Sequence, residues 1–121
     1  MEVLVDTSVW IDHLRKPVDP LIILLHNGKV LSHSWIVGEI SLGHLKGRGK
    51  FLKNLNLLPK ANEVSMLELL NFIEDHSLQG MGLGLVDIQL LASAMLSSIS
   101  IYTRDKAMIL AMKKIRIALH C

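Results

Sequence analysis

The stretch Val3-Leu4-Val5-Asp6-Thr7-Ser8 decides the interpretation of this chain, because an apolar run typical of a buried strand stops abruptly at a carboxylate. The same pattern occurs near the other end of the chain, where Ile99-Ser100-Ile101-Tyr102 is followed by Thr103-Arg104-Asp105. Parallel strands of an open α/β sheet bring such residues together at their carboxyl ends, where diverging loops leave a crevice. We therefore expect Asp6 and Asp105 to be neighbours.

Strand and helix signals alternate along the rest of the chain, which predicts an α/β fold with a mostly parallel sheet and helices on both faces. The length suits a single domain spanning residues 1–121. The predicted strands are Val3 to Val5, Val30 to Ser32, Ile99 to Tyr102 and Ile115 to Ala118. The predicted helices cover Ser8 to Leu14, Leu21 to His26, Trp35 to Leu42 after a Ser34 cap, Gly49 to Leu55, Ser65 to His76, Asp87 to Met95, and Lys106 to Met112.

Two further acids complete a candidate metal site. Glu39 interrupts the apolar face of its predicted helix, so we expect a semi-buried carboxylate that needs a partner. Asp87 opens a helix after an open loop that contains Gly80, Gly82 and Gly84. Carboxylates buried together have strongly raised pKa values unless a cation neutralises them, and Mg²⁺ or Mn²⁺ would supply that cation.

Each acid has a simpler explanation when it is considered alone. Asp6, Asp87, Thr103 and Asp105 all stand where a helix N-cap is expected, and Asp is a favoured N-cap residue. Only the combination of four acids in one fold favours a metal site over separate caps.

Composition limits the classes of protein to which the chain could belong. Half of the residues are apolar but only 4% are aromatic, so the core must consist mainly of Leu, Ile, Val and Met, with apolar surface left for a partner or a second copy. No window reaches the roughly 20 apolar residues that span a bilayer. No secretory signal and no internal disulfide are expected, since Cys121 is the single cysteine, so we expect a cytoplasmic protein.

The charge distribution favours a polyanionic partner. If four acids are withdrawn into one site, seven remain against thirteen Lys and Arg residues. The densest basic stretch contains Lys46, Arg48 and Lys50, which are candidate nucleic-acid contacts, although a solvated loop between two helices is the favoured explanation when this stretch is taken alone. Arg104 could contact a phosphate or pair with an acid. Trp10 and Trp35 are expected in the core or a dimer contact, and the six histidines show no metal-ligand spacing.

Several motifs together resemble the PIN-domain ribonucleases, most closely the VapC-type toxins of bacterial toxin–antitoxin pairs. They are Val3 to Asp12, the helix of Glu39, Gly82-Leu83-Gly84-Leu85-Val86-Asp87 with Leu91-Ala92-Ser93-Ala94, and Tyr102 to Lys106. The resemblance runs from end to end of the chain in the family's order.

The resemblance implies an α/β/α sandwich and a divalent-metal endoribonuclease that uses Mg²⁺ or Mn²⁺. Asp6, Glu39, Asp87 and Asp105 match the family's acids, and Thr7, Ser8 and Thr103 match its neighbouring hydroxyl positions. It also implies homodimerisation, and inhibition by a VapB-like antitoxin whose segment lies across the active-site groove.

Two other classes stay open. A phosphatase with a nucleophilic aspartate also places an acid after the first strand, but the common Asp-x-Asp arrangement is absent because position 8 is Ser. A PIN fold that binds RNA or protein without catalysis is the second alternative, and the presence of all four acids argues against it.

Overall fold

Three short parallel strands form the centre of the molecule in a computed structural model that describes residues 2–120. They are β1 (Val3–Val5), β2 (Val30–Leu31) and β3 (Ser100–Tyr102), and the order across the sheet is β2-β1-β3. Val3 pairs with Val30 on one side and with Ser100 on the other. The prediction of an α/β fold with a parallel sheet is confirmed. Cys121, on which the expectation about disulfides rested, lies outside the described residues.

The helices fill the connections between the strands. Between β1 and β2 lie α1 (Thr7–Arg15) and α2 (Asp19–His26). Between β2 and β3 lie α3 (Ser34–Ser41), α4 (Arg48–Asn56), α5 (Met66–His76) and α6 (Leu85–Ser97), and α7 (Lys106–Ile115) follows β3. The two connections cross the sheet in opposite directions, so the right-handed crossovers that parallel sheets favour put their helices on opposite faces. None of the helices in residues 2–120 is long and apolar enough to cross a membrane.

The core surrounds β1, whose three residues are all buried. As expected from the composition, the largest fully buried side chains are almost all aliphatic or Met: Leu4, Leu21, Ile36, Ile40, Leu55, Leu69, Leu90, Leu91, Ile101, Met108 and Met112, with His33 as the exception. Trp10 is 3% exposed and its ring packs edge-on against Phe51, which confirms its predicted place in the core. Burial of this apolar surface is the main driving force for folding.

The end of the chain differs from the prediction of a last strand at Ile115 to Ala118, which is wrong. Helix α7 continues to Ile115, whose side chain packs against the core, and Arg116 ends the helix in the left-handed conformation with φ 63°. The chain then lies along β3 and makes only an isolated bridge between Ile101 and Leu119. The helix therefore runs about one turn further than predicted, with Ile115 packed against the core, and the expected strand does not form.

The predicted start of α3 is also corrected, because His33 and not Ser34 is its N-cap. The ring Nδ1 of His33 accepts a hydrogen bond from the backbone N–H of Trp35 at 3.0 Å. The other ring nitrogen lies 3.2 Å from the hydroxyl of Ser93 on α6. Since His33 is completely buried, this side chain fixes the start of α3 against α6.

Candidate active site

Asp6 is held at the carboxyl end of β1 by two hydroxyl groups. It is 4% exposed, and its Oδ2 accepts hydrogen bonds from Ser8 Oγ at 2.8 Å and from Thr103 Oγ1 at 2.7 Å. Both hydroxyl protons are thus directed to the same carboxylate oxygen, and Oδ1 takes no part in these two bonds. Asp6 occupies the N-cap position of α1 but caps no helical N–H with its side chain, so the N-cap explanation fails here.

The same hydroxyls tie Asp6 to the segment that follows β3. Ser8 Oγ accepts from the backbone N–H of Arg104, and Thr103 Oγ1 accepts from the backbone N–H of Asp105, each at 3.1 Å. The backbone N–H of Asp6 also donates to the carbonyl of Tyr102 at 2.9 Å. The expectation that the ends of these two strands are neighbours is confirmed by these contacts.

Asp105 is the N-cap of α7, as the simpler explanation proposed. Its Oδ1 accepts from the backbone N–H groups of Ala107 at 2.8 Å and Met108 at 3.2 Å. A carboxylate is favourable at this position because of the unpaired N–H groups and the helix dipole. The side chain is exposed, so capping does not prevent its second oxygen from taking part in a site.

Asp87 has a pKa that is affected by the charges of the other three acids. It is the third residue of α6, not the first as predicted, and its Oδ2 accepts from the backbone N–H of Gly84 at 2.9 Å. Burial raises its pKa above the usual value, the Gly84 hydrogen bond opposes this, and the charges of Asp6, Asp105 and Glu39 raise the pKa further. Four acids from separate parts of the chain therefore share one electrostatic environment.

The glycines of the loop before Asp87 differ in backbone conformation. Gly80 and Gly82 have φ values of 75° and 76°, in the region that side chains disfavour, and no atom lies within 4 Å of where a Cβ would stand. Gly84 has ordinary dihedrals, and a Cβ there would meet Asp87 Oδ2 at 3.7 Å. Backbone conformation, and not a lack of space, thus explains the first two glycines.

Glu39 is exposed, which corrects the expectation of a semi-buried carboxylate. It is in the second half of α3, where Ile36 and Ile40 face the core while Gly38 and Glu39 lie on the solvent side. The small Gly38 leaves open space beside it. Among the described residues, no side chain or backbone group forms a hydrogen bond with the Glu39 carboxylate, so it stays free for a ligand.

The acids fit a hard divalent cation by their chemistry. All four offer carboxylate oxygens, the ligands that Mg²⁺ and Mn²⁺ prefer. The buried Thr7 Oγ1 beside Asp6 lacks a hydrogen-bond partner among residues 2–120, and burial together with the charges of Asp6, Asp105 and Glu39 raises the pKa of Asp87. The same residues contain no group of three His, Cys, Asp or Glu side chains already placed to hold an ion. Binding would therefore require side-chain movement, for which the exposed Glu39 and Asp105 have room.

The candidate RNA contacts have different surroundings. Arg48 donates through Nε and Nη2 to the carbonyl of Ser41, at 2.9 and 2.5 Å, so it caps the C-terminus of α3. Lys46 and Lys50 are exposed. Arg104 pairs with Asp12 across 2.9 Å on the surface next to the acids. The pairing alternative for Arg104 is therefore confirmed.

Two features of this region were not predicted. Asp12 stands four residues after Ser8 on α1, a helical spacing that already indicated a shared face. Gln89 and Ser93 have the same spacing on α6 and are fully buried. Gln89 exchanges two hydrogen bonds with the backbone of Val64, at 2.7 and 2.9 Å. Polar residues four apart in an apolar helix were the signal for this buried network.

Comparison with known proteins agrees with this geometry, although no family model matches the chain. The chain is 39% identical over 105 residues to Ribonuclease VapC32 of Mycobacterium tuberculosis, in two strains, covering 86% of this chain and 85% of the relative. Its fold is similar to the crystal structure of PAE2754 from Pyrobaculum aerophilum, with a TM-score of 0.65 and 18% identity over 98% of this chain and 83% of the other. The identity with the ribonuclease extends over most of both sequences, and the chain therefore belongs to the VapC-type PIN-domain ribonucleases.

Proposed function

We propose that this chain is a divalent-metal-dependent endoribonuclease that hydrolyses RNA phosphodiester bonds and acts as the toxin of a toxin–antitoxin pair. The observation that supports this most directly is the placement of Asp6 at the carboxyl ends of β1 and β3, where Ser8 and Thr103 hold its Oδ2 while Oδ1 takes no part in those bonds. Glu39, Asp87 and Asp105 would supply further carboxylates, and like charges brought together become favourable when a cation binds. The relative named Ribonuclease VapC32 gives the substrate class.

Asp6 and Asp87 would be the principal holders of Mg²⁺ or Mn²⁺, with Glu39 and Asp105 completing the set. When bound, the ion would lower the pKa of a water molecule and neutralise charge that develops on the phosphoryl oxygens. Ser8 and Thr103 hold Asp6 Oδ2, so that Oδ1 can face the ion. Thr7 belongs to the same group of supporting hydroxyls.

The remaining acids have separate roles in this proposal. Glu39 orients the attacking water, since its exposed carboxylate has no competing hydrogen bond among the described residues. Asp105 acts at longer range through water, because one of its oxygens already caps α7. Lys46, Arg48, Lys50 and Arg104 would contact the RNA backbone, which positions the strand without selecting bases.

The proposed protein partners are based on the exposed apolar side chains and on the family to which the chain belongs. We propose a homodimer, and a VapB-like antitoxin that covers the active-site groove, in a chain that folds as one domain over residues 1–121. Large apolar side chains remain exposed, among them Leu42 at 87%, Leu57 at 78% and Leu67 at 70%, and such surface is favourable for association. The cytoplasm, where RNA substrates are abundant, is the proposed location.

The test is cleavage of a panel of structured RNAs with Mg²⁺ or Mn²⁺. We expect wild-type protein to cleave, and Asp87→Asn or excess chelator to abolish cleavage. Asp75→Asn is the matched control, because it removes one exposed carboxylate from α5 and should leave cleavage unchanged. Equal cleavage by wild type and Asp87→Asn would contradict the proposal, and RNA binding without cleavage would favour a non-catalytic module.

A further inference from the structure

A cleft beside the acids is lined by Arg104, one of the proposed RNA contacts, and by charged residues at the end of α1 and the start of α2 that have no role in the reaction proposed above. It has a volume of about 430 Å³ and lies between the end of α1, the start of α2 and the side chain of Arg104. Its charged lining residues are Asp12, Arg15, Lys16, Asp19 and Arg104. Three cations face two carboxylates, so the cleft favours an anion over a cation.

The cleft is joined to the candidate active site by two hydrogen bonds. The backbone N–H of Arg104 donates to Ser8 Oγ at 3.1 Å, and Ser8 Oγ donates to Asp6 Oδ2 at 2.8 Å. Arg104 is also the residue immediately before Asp105. An extended strand that placed one phosphate at the acids would therefore pass its next phosphates along this wall.

Asp12 orients Arg104 but occupies only part of the hydrogen-bonding capacity of its guanidinium. Arg104 Nη1 donates to Asp12 Oδ2 at 2.9 Å, and the side chain of Tyr102 is a second polar neighbour of the guanidinium. A guanidinium has five N–H donors in a planar fork that matches the oxygens of a phosphate. The two side chains are 45% and 40% exposed, and ion pairs with that exposure are weak, so an incoming phosphate can share the guanidinium.

We propose that this cleft is a phosphate subsite for the RNA strand that flanks the scissile bond. Arg104 binds a phosphate, Asp12 positions Arg104, and Arg15 and Lys16 continue the path along the end of α1. This inference rests on the proposed ribonuclease function, because it assigns the route of that substrate. Asp12 is a positioning residue, since it acts through Arg104 and does not itself touch the RNA.

The first experiment measures binding of a labelled single-stranded RNA at several salt concentrations, with chelator present so that no cleavage occurs. For single strands the logarithmic salt slope changes by about 0.7 for each phosphate contact, so Arg104→Ala should reduce the slope by about that amount. Lys29→Ala is the matched control, because this exposed lysine precedes β2 and lies at the opposite edge of the sheet. Arg104→Lys should keep the slope but bind less tightly, because it retains the charge and loses the fork.

The second experiment separates positioning from simple structural support through steady-state cleavage. Arg104→Ala should raise KM by about tenfold with kcat nearly unchanged, because the contact is made equally in the ground state and the transition state. Asp12→Ala should raise KM by about threefold in wild type and not at all in the Arg104→Ala background.

The outcomes distinguish the two proposals. The phosphate subsite would be overturned if Arg104→Ala bound RNA with the salt slope of the wild type. It would also be overturned if Asp12→Ala still raised KM about threefold in the Arg104→Ala background. Neither outcome would contradict the proposed nuclease activity. Absence of cleavage by wild type, together with a reduced salt slope in Arg104→Ala, would remove the proposed catalysis and keep the cleft as an RNA contact.

Discussion

The acidic site has two halves that are built in different ways. In the strand half, Asp6 and Asp105 follow β1 and β3, and hydrogen bonds hold both carboxylates in place. In the helix half, Asp87 has a single backbone partner and Glu39 is exposed without a hydrogen bond among the described residues. One half is organised by the sheet, whereas the other depends on how α3 and α6 pack.

This difference shows where a cation is most needed. The hydrogen bonds from Ser8 and Thr103 hold the Asp6 carboxylate in place without an ion. Asp87 experiences burial and three like charges, so its charged form is stabilised mainly when a cation is present. We therefore expect the strand half to keep its geometry without metal and the helix half to order on binding.

The largest expected effect comes from replacing one acid in each half. Asp6→Asn and Glu39→Gln should each lower cleavage about 1,000-fold, the equivalent of about 4 kcal/mol of transition-state stabilisation. Their stabilities should differ without metal. Asp6→Asn removes a charged acceptor of two buried bonds and should cost about 1.5–3 kcal/mol, whereas Glu39→Gln, at an exposed site, should stay within about 0.5 kcal/mol.

Cleavage rates together with urea unfolding in chelator check this pair. Equal losses of stability in the two variants would contradict the proposed difference between the halves. Asp75→Asn again serves as the control for a charge change on the surface.

A smaller effect is expected from the hydroxyls that hold Asp6. Thr103→Val keeps the shape of the side chain but removes one donor, and loss of such supporting bonds lowers metal affinity or activity about 10- to 100-fold. Ser8→Ala should have a similar effect. Titration with Mn²⁺ would locate the defect in metal affinity, and unchanged affinity in both variants would exclude the role that we assign to these hydroxyls.

At Asp105, the role of the side chain as a helix cap can be tested separately from the role of its charge. Asp105→Asn should retain the cap of α7, since Asn is as good an N-cap as Asp, while Asp105→Ala should lose about 1 kcal/mol of stability. If the charge also serves catalysis, both variants should cleave more slowly by a similar factor. Wild-type activity in Asp105→Asn would show that this residue only caps the helix.

The helix half should respond to pH through His33, which joins α3 to α6. Burial lowers the pKa of His33 below its usual value of 6.5, and contacts with Gln89, Glu63 and the backbone of Asn62 only partly oppose this. Above pH 6.5 His33 is neutral in both the folded and unfolded states, and its contribution to stability is complete. As the pH falls below that value, protonation favours the unfolded state and the free energy of unfolding decreases.

Urea unfolding at pH 7.5 and 5.5, in wild type and His33→Asn, would measure this contribution. Asn can still cap α3 but does not titrate in this range, so its stability should depend less on pH. Identical pH dependence in the two proteins would show that His33 does not limit stability in acid.

Local sequence patterns were sufficient to predict much of the fold. The apolar run at Val3 to Val5 and the largely apolar segment at Ile99 to Tyr102 indicated the parallel strands, because short apolar segments bounded by polar residues are typical of strands buried on both faces. The predicted start of α5 at Ser65 was correct, since Ser65 is the N-cap and its hydroxyl accepts a hydrogen bond from the backbone N–H of Glu68. The terminal strand was predicted wrongly because periodicity alone does not separate a short strand from the last turn of an amphipathic helix.

The sequence by itself determined which acids were candidates, since Asp6 and Asp105 follow strands and Asp87 follows a glycine loop. Only the tertiary structure decided how Asp6 is held, because its bond to Thr103 joins residues 97 positions apart. The exposure of Glu39, the contact of His33 with Ser93 and the cleft around Arg104 likewise depend on packing between distant elements. Hydrogen bonds and charge interactions act over a few ångströms in space, and linear spacing within a helix or strand cannot specify them across the chain.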